Sequence, residues 1–144
     1  MKIISEINFA IIAKNIALRK IHPPVAYAVF WLILSTILLT LPGSSFPKEN
    51  WLDRIWLDKW VHIGMFCIMV VLWCWSASFY FIRSKQLKKI FILVALLFTG
   101  YGIGMEFIQR YFISNRSFDL GDIIADAVGC MGGFLFSVGR YIKK

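Results

Sequence analysis

Four long apolar runs, separated by short polar segments, dominate the hydrophobic pattern of the chain. They cover residues 25–41, 60–82, 90–112 and 122–141. A helix needs about 20 apolar residues to cross the hydrocarbon core, and even the first and shortest run lies within the usual range. The pattern therefore predicts an all-α, polytopic membrane protein built as a four-transmembrane-helix bundle.

The segment before the first run has a different pattern. Residues 1–22 mix charged positions with isoleucine and leucine, and the short apolar run 9–13 is interrupted by Lys14. We predict an amphipathic helix on the membrane surface, ended by His22-Pro23-Pro24, rather than a cleaved signal peptide. Residues 1–24 would then form an amphipathic N-terminal segment, and residues 25–144 the transmembrane domain.

Composition and charge agree with a membrane protein. Hydrophobic residues make up 59% of the chain, against about 45–50% in soluble domains. The net charge of +8 does not indicate nucleic acid, because eleven of the sixteen basic residues lie in the N-terminal segment, the middle turn and the tail. An even number of spans puts these segments on one side, and the positive-inside rule predicts that both termini are cytoplasmic.

Polar residues at helical spacing mark one face of each of the last three spans. Ionisable groups at such depth are costly in a bilayer, so they usually face a bundle interior or a wet cavity. Four of them are of types suited to general acid–base chemistry. These candidate catalytic residues are His62, Glu106, Asp122 and Asp126.

Five neighbouring polar residues are candidates for binding: Asp58, Lys59, Gln109, Arg116 and Asp119. Each also has a structural interpretation. Asp58 and Asp119 are placed to cap helices, while Lys59 and Arg116 are placed to extend toward the interface or to act as counter-ions. Gln109 is placed to bridge helices by hydrogen bonds. We expect the candidate residues to converge on one pocket.

Glycine pairs four residues apart predict close helix packing in the last two spans. They are Gly100 with Gly104, and Gly129 with Gly133. Small residues at this spacing let helix backbones approach each other in lipid.

The ordered motifs resemble the VanZ-like family of small integral membrane proteins. The matching positions are Asp58-Lys59-x-x-His62, Glu106-x-x-Gln109, Arg116-x-x-Asp119-x-x-Asp122, and Asp126-x-x-Gly129 with Gly133. Asp126 departs from the family, which commonly has asparagine there. The resemblance implies a protein of the bacterial cytoplasmic membrane, from a family linked to resistance to the glycopeptide teicoplanin.

Three main functions stay open at this point. The pocket could bind or modify an anionic or lipid-linked envelope molecule on the extracytoplasmic side. It could also be the active site of an enzyme that hydrolyses a phosphate or other ester, and its oxygen-rich residues could hold a divalent metal. Alternatively, the polar network only fixes helix packing in a structural or assembly protein. A proton or ion pathway is less favoured, and the sequence identifies neither a cofactor nor an oligomeric state.

Overall fold

The computed structural model describes residues 23–42, 56–80 and 84–142 of the chain. Within this part the protein is all-helical, as predicted, and has no strand. The helices are α1 (Pro23–Thr40), α2 (Leu57–Ser78), α3 (Ser84–Phe112) and α4 (Leu120–Tyr141). The predicted amphipathic helix of residues 1–22 lies outside the described residues.

Three of these helices are long and apolar enough to cross a membrane, and they cover Leu57–Ser78, Lys85–Phe112 and Leu120–Tyr141. The apolar part of α1, Pro24–Thr40, is shorter. Bulky apolar side chains are exposed on the outward helix faces, as at Leu96 and Leu97. A soluble monomer rarely exposes so much contiguous apolar surface, so these faces fit contact with the lipid bilayer.

The helix ends differ from the ends of the apolar runs. The second run extends to residue 82, yet α2 ends at Ser78, where the Ser76 and Ser78 hydroxyls donate to the carbonyls of Leu72 and Trp75. Such local hydrogen bonds are typical where a helix weakens or ends. In contrast, α3 begins at Ser84, before the third run, because lysine and glutamine are good helix formers although they are polar.

The contact between α2 and α4 depends on two glycines. A Cβ atom at Gly129 would collide with the carbonyl oxygen of Ile63, and one at Gly133 would lie 2.6 Å from that of Cys67. The predicted close packing of this pair is confirmed. It is wrong for Gly100 and Gly104 as far as the described residues go, because a Cβ atom at either position would meet none of their atoms within 4 Å.

An apolar core lies between the helices. Phe66, Met69, Val70, Phe91 and Cys130 are among its buried members. The three cysteines are free thiols, and two of them, Cys74 and Cys130, are buried.

Polar side chains attach α1 to this core. The Trp31 indole N–H donates to the carbonyl of Met65 over 3.1 Å. The hydroxyls of Thr36 and Tyr101 lie 2.9 Å apart and share a hydrogen bond. This helix, which has no Asp, Glu, Lys, Arg or His, is thus held by hydrogen bonds in addition to apolar packing.

Candidate functional site

The candidate residues meet at one end of the bundle, where α2 and α4 begin and α3 approaches its end. They form two groups. The rim cluster consists of Asp58, Lys59, Asp119 and Asp122, and the deep cluster of His62, Glu106 and Asp126. Lys59 and His62 lie three residues apart on α2, and Asp122 and Asp126 lie four residues apart on α4. Residues at this spacing share one face of a helix.

Lys59 is the centre of the rim cluster. Its ammonium forms ion pairs with Asp58 at 3.0 Å, with Asp122 at 2.5 Å and with Asp119. The exposure of these carboxylates ranges from 61% of the Asp58 side chain to 9% of the Asp122 side chain. Of the two interpretations of Lys59, the geometry agrees with the counter-ion, because the side chain turns into the cluster and neutralises carboxylates from two helices.

The rim cluster is reached through a shallow depression lined by Trp56, Lys59, Asp119 and Gly121, together with Asp58. Carboxylate oxygens of Asp58, Asp119 and Asp122 lie within 4.8 Å of one another, a spacing that can hold a metal ion. Because the Lys59 ammonium pairs with all three, a divalent cation would have to displace this ammonium rather than add to it.

Helix capping differs between the two predicted caps. Asp119 is the N-cap of α4, and its carboxylate accepts a hydrogen bond of 2.7 Å from the Gly121 N–H, as predicted. The capping prediction for Asp58 is wrong, since the N-cap of α2 is Trp56, in a left-handed conformation and without a side-chain cap. The hydrogen bond from Lys59 holds the pKa of Asp119 below its ordinary value.

The deep cluster is almost closed to solvent. His62 is 6% exposed, Asp126 2% and Glu106 1%. His62 Nδ1 lies 2.8 Å from the Asp126 carboxylate, while Nε2 faces Asp122 at 4.0 Å. Glu106 accepts a hydrogen bond of 2.9 Å from the backbone N–H of Asp119, which ties α3 to the start of α4.

Gly102 makes room for Asp126. A Cβ atom at position 102 would lie 2.5 Å from an Asp126 carboxylate oxygen, so the carboxylate packs directly on the α3 backbone. This contact fixes the Asp126 carboxylate on one side, and His62 contacts it on another.

Two predicted binding residues, Gln109 and Arg116, are not among the members of the two clusters. Gln109 is buried, and its side-chain amide donates to the carbonyl of Leu39 at the end of α1. It therefore connects two helices, which is the structural interpretation of this residue. Arg116 is partly buried in the segment between α3 and α4, ahead of the Asp119 cap.

The two clusters combine five carboxylates with one lysine and one histidine. Such an excess of acid groups disfavours a simple anion and favours proton exchange or a cationic group, because charges inside a membrane protein need partners. Among the described residues, His62 is suited to acid–base chemistry because a carboxylate orients one nitrogen and leaves the other facing Asp122.

Sequence reasoning missed the backbone partners in this region. Glu106 accepts from the Asp119 backbone N–H, and Gln109 donates to the Leu39 carbonyl. The identity of a residue does not indicate which backbone group it will contact. Only the shared helix face of Glu106 and Gln109 indicated that both side chains point inward.

Comparison with known proteins gives one relative. The chain is 30% identical over 138 residues to an uncharacterized protein of Schizosaccharomyces pombe, and the alignment covers 96% of this chain and 71% of that protein. No protein-family model matches the chain, and no solved structure matches it.

This relative corrects the predicted location. It comes from a eukaryote, so the prediction that proteins of this family lie in a bacterial cytoplasmic membrane is wrong. The membrane-spanning character of the helices does not depend on that prediction, because it follows from their length and composition.

Proposed function

The chain belongs to the same family as this fission-yeast protein, and we propose that it is a membrane protein that binds, and through its deep cluster modifies, the polar head of a lipid or lipid-linked molecule. The observation that carries the proposal is the convergence of acid–base and binding residue types from three helices at one end of the bundle.

The proposal includes four spanning helices and an N-terminal amphipathic helix on the membrane surface. At about 1.5 Å per residue, α1 reaches roughly 27 Å, close to the ~30 Å of the hydrocarbon core. Its hydrogen bonds to α2 and α3 favour an orientation alongside them. With a fourth span, both ends of the bundle reach a membrane surface.

Aromatic residues near the cluster support a head group as the ligand. Trp56, Trp60 and Tyr111 are exposed on the helix ends around the rim. Tryptophan and tyrosine are enriched at the level of lipid head groups, where one side of the ring is apolar and the other is hydrated. The rim depression would therefore open at head-group level, and a lipid could reach it from within the bilayer plane.

A relation to the VanZ-like family is part of this proposal and rests on motif residues alone. His62, Glu106, Asp122 and Asp126 occupy the matching positions, and their side chains lie in the two adjoining clusters. Asp126 fits the family least well, because the asparagine common there cannot carry the charge that an aspartate offers to His62.

A structural or assembly role is the second candidate. It is favoured by the observation that Lys59, Asp126 and Glu106 each have a partner inside the chain. A network satisfied in this way can fix helix register without any ligand. This role predicts that changes in the clusters affect folding and function to the same extent.

Native mass spectrometry of the full chain, with phosphatidylethanolamine or phosphatidylglycerol added in detergent, tests the proposal. We expect at least one lipid to stay bound to the wild-type chain and to be lost from Lys59→Met under conditions in which that variant is still folded. Arg140→Gln, an exposed change at the far end of α4, is the matched control and should keep the lipid. Equal retention by all three proteins would favour the structural role.

A further inference from the structure

The two nitrogens of the His62 ring have different environments. Nδ1 is paired with Asp126 at 2.8 Å, whereas Nε2 lies 4.0 Å from Asp122. That second distance is too long for a hydrogen bond. No described residue makes a hydrogen bond to Nε2, although the whole residue is only 6% exposed.

Neighbouring contacts determine the orientation of the ring. Asp126 packs against the backbone at Gly102 and accepts from His62. When a carboxylate accepts a hydrogen bond from the Nδ1–H of a neutral imidazole, the Nε2 lone pair is left as an acceptor. The acceptor then points toward Asp122, whose other oxygen pairs with Lys59.

The 4.0 Å between Nε2 and Asp122 is a distance that one oxygen atom can bridge. An oxygen about 2.8 Å from each could donate a proton to Nε2 and remain within hydrogen-bond distance of the carboxylate. A hydroxyl group or a water molecule can donate to Nε2, whereas a phosphomonoester dianion has no O–H group and would be repelled by Asp122 and Asp126. The geometry therefore selects for O–H groups.

We propose that His62 Nε2 is the proton acceptor of the site and takes a proton from a hydroxyl or water oxygen bound between His62 and Asp122. In this step the O–H bond breaks and an Nε2–H bond forms, while the oxygen keeps the electron pair. The resulting imidazolium lies between the carboxylates of Asp126 and Asp122. The step rests on the proposed function, because the hydroxyl belongs to the bound head group or to water admitted with it.

Asp126 is a positioning residue in this step, since it acts through His62. A purely structural His62–Asp126 pair would also fix the Nδ1–H tautomer, because the carboxylate can only accept, but it would not need a reactive Nε2. Reactivity at Nε2 therefore distinguishes the proposal from a structural pair in a way that stability and tautomer alone cannot.

The full chain has two histidines, so His22→Gln leaves His62 as the single one. Nitrogen NMR of this variant with labelled histidine should show neutral His62 mainly as the Nδ1–H tautomer. Diethyl pyrocarbonate, which acylates accessible unprotonated imidazole nitrogens, should modify His62 at Nε2. Ser76→Ala, a change near the far end of α2, is the control and should alter neither result.

Asp126→Ala in the same background tests the positioning role, because alanine removes the acceptor that holds the Nδ1–H. We expect the Nδ1–H tautomer to lose its majority in the folded variant, and Asp126→Glu to keep it at least in part. Wild-type His62 in the Nε2–H tautomer, a His62 that resists acylation, or a folded Asp126→Ala variant with an unchanged tautomer would each overturn the proposal.

This outcome is separable from the outcome of the lipid-binding test. A chain that retains lipid but carries an unreactive His62 would overturn the proton-transfer step alone. A chain with the Nδ1–H tautomer and a reactive Nε2 that retains no lipid would contradict the head-group proposal and leave water as the proton donor.

Discussion

The rim and deep clusters contain similar residue types but are held in different ways. In the rim cluster three carboxylates share one lysine ammonium, a long and flexible partner, beside an open depression. In the deep cluster the carboxylates contact backbone groups and an imidazole, at exposures of a few per cent. The rim can thus exchange partners, while the deep cluster keeps a fixed geometry.

This difference indicates a division of roles. A head group that enters the rim would take the place of Asp58 beside Lys59, which costs little because the Asp58 side chain is 61% exposed and an exposed ion pair contributes only about 0–1 kcal/mol. Rearranging the deep cluster would leave a buried charge without its partner. We therefore assign recognition to the rim and proton chemistry to the deep cluster.

The largest expected difference is between loss of a deep carboxylate and loss of a rim carboxylate. Asp126→Ala removes the partner of His62 in a closed site and should lower the free energy of unfolding by about 3 kcal/mol. Asp58→Ala removes a mostly exposed partner of Lys59 and should cost less than about 1 kcal/mol. Denaturation in detergent measures both, and equal losses would remove the distinction between the clusters.

A smaller difference should separate two glycines on α3. Gly102→Ala would displace the Asp126 carboxylate, so we expect a loss of about 1–3 kcal/mol. Gly104→Ala enters open space and should stabilise the helix by up to about 1 kcal/mol. Thermal melts of the two variants provide the check. Two stabilised variants would show that Asp126 is not packed on the α3 backbone.

The smallest expected effect is a pH dependence in the rim cluster. Because Lys59 holds the pKa of Asp119 below its ordinary value, this pair stabilises the fold above the pKa of the unfolded state. That stabilisation is lost as the pH falls through the folded-state pKa. Asp119→Asn keeps an equally good helix cap but removes the charge.

The wild-type chain should therefore melt slightly higher than Asp119→Asn near neutral pH, with the difference vanishing in acid. We expect less than about 1 kcal/mol, because Asp119 is half exposed and solvent screens the pair. Melting curves that stay parallel from neutral to acid pH would show that the Lys59–Asp119 pair does not stabilise the fold.

The fold could be predicted from the sequence as far as local patterns reach. Apolar runs located the helices, and the Gly129–Gly133 pair located a real close contact. The same spacing failed for Gly100 and Gly104, because a repeat on one helix does not say which face turns inward. The observed helix ends also differed from the ends of the apolar runs, because hydropathy reflects solubility in lipid and not where backbone hydrogen bonding stops.

The candidate site could be predicted as a set of residues on shared helix faces, but not as two clusters. The sequence left open whether Lys59 is an interfacial side chain or a counter-ion, because its carboxylate partner Asp119 lies sixty residues away in sequence. Gln109 has its partner, the Leu39 carbonyl, seventy residues away. Long-range pairs of this kind depend on how helices dock, which a single sequence does not encode locally.

A crystal structure of the full chain grown in a lipid mesophase would test the central claim most directly. We predict density for a lipid head group in the rim depression, within hydrogen-bond distance of Lys59 or its carboxylate partners, with His62 and Asp126 still paired below it. Ordered lipids elsewhere on the bundle around an empty rim, or Glu106 and Asp126 facing lipid on opposite sides, would contradict the account.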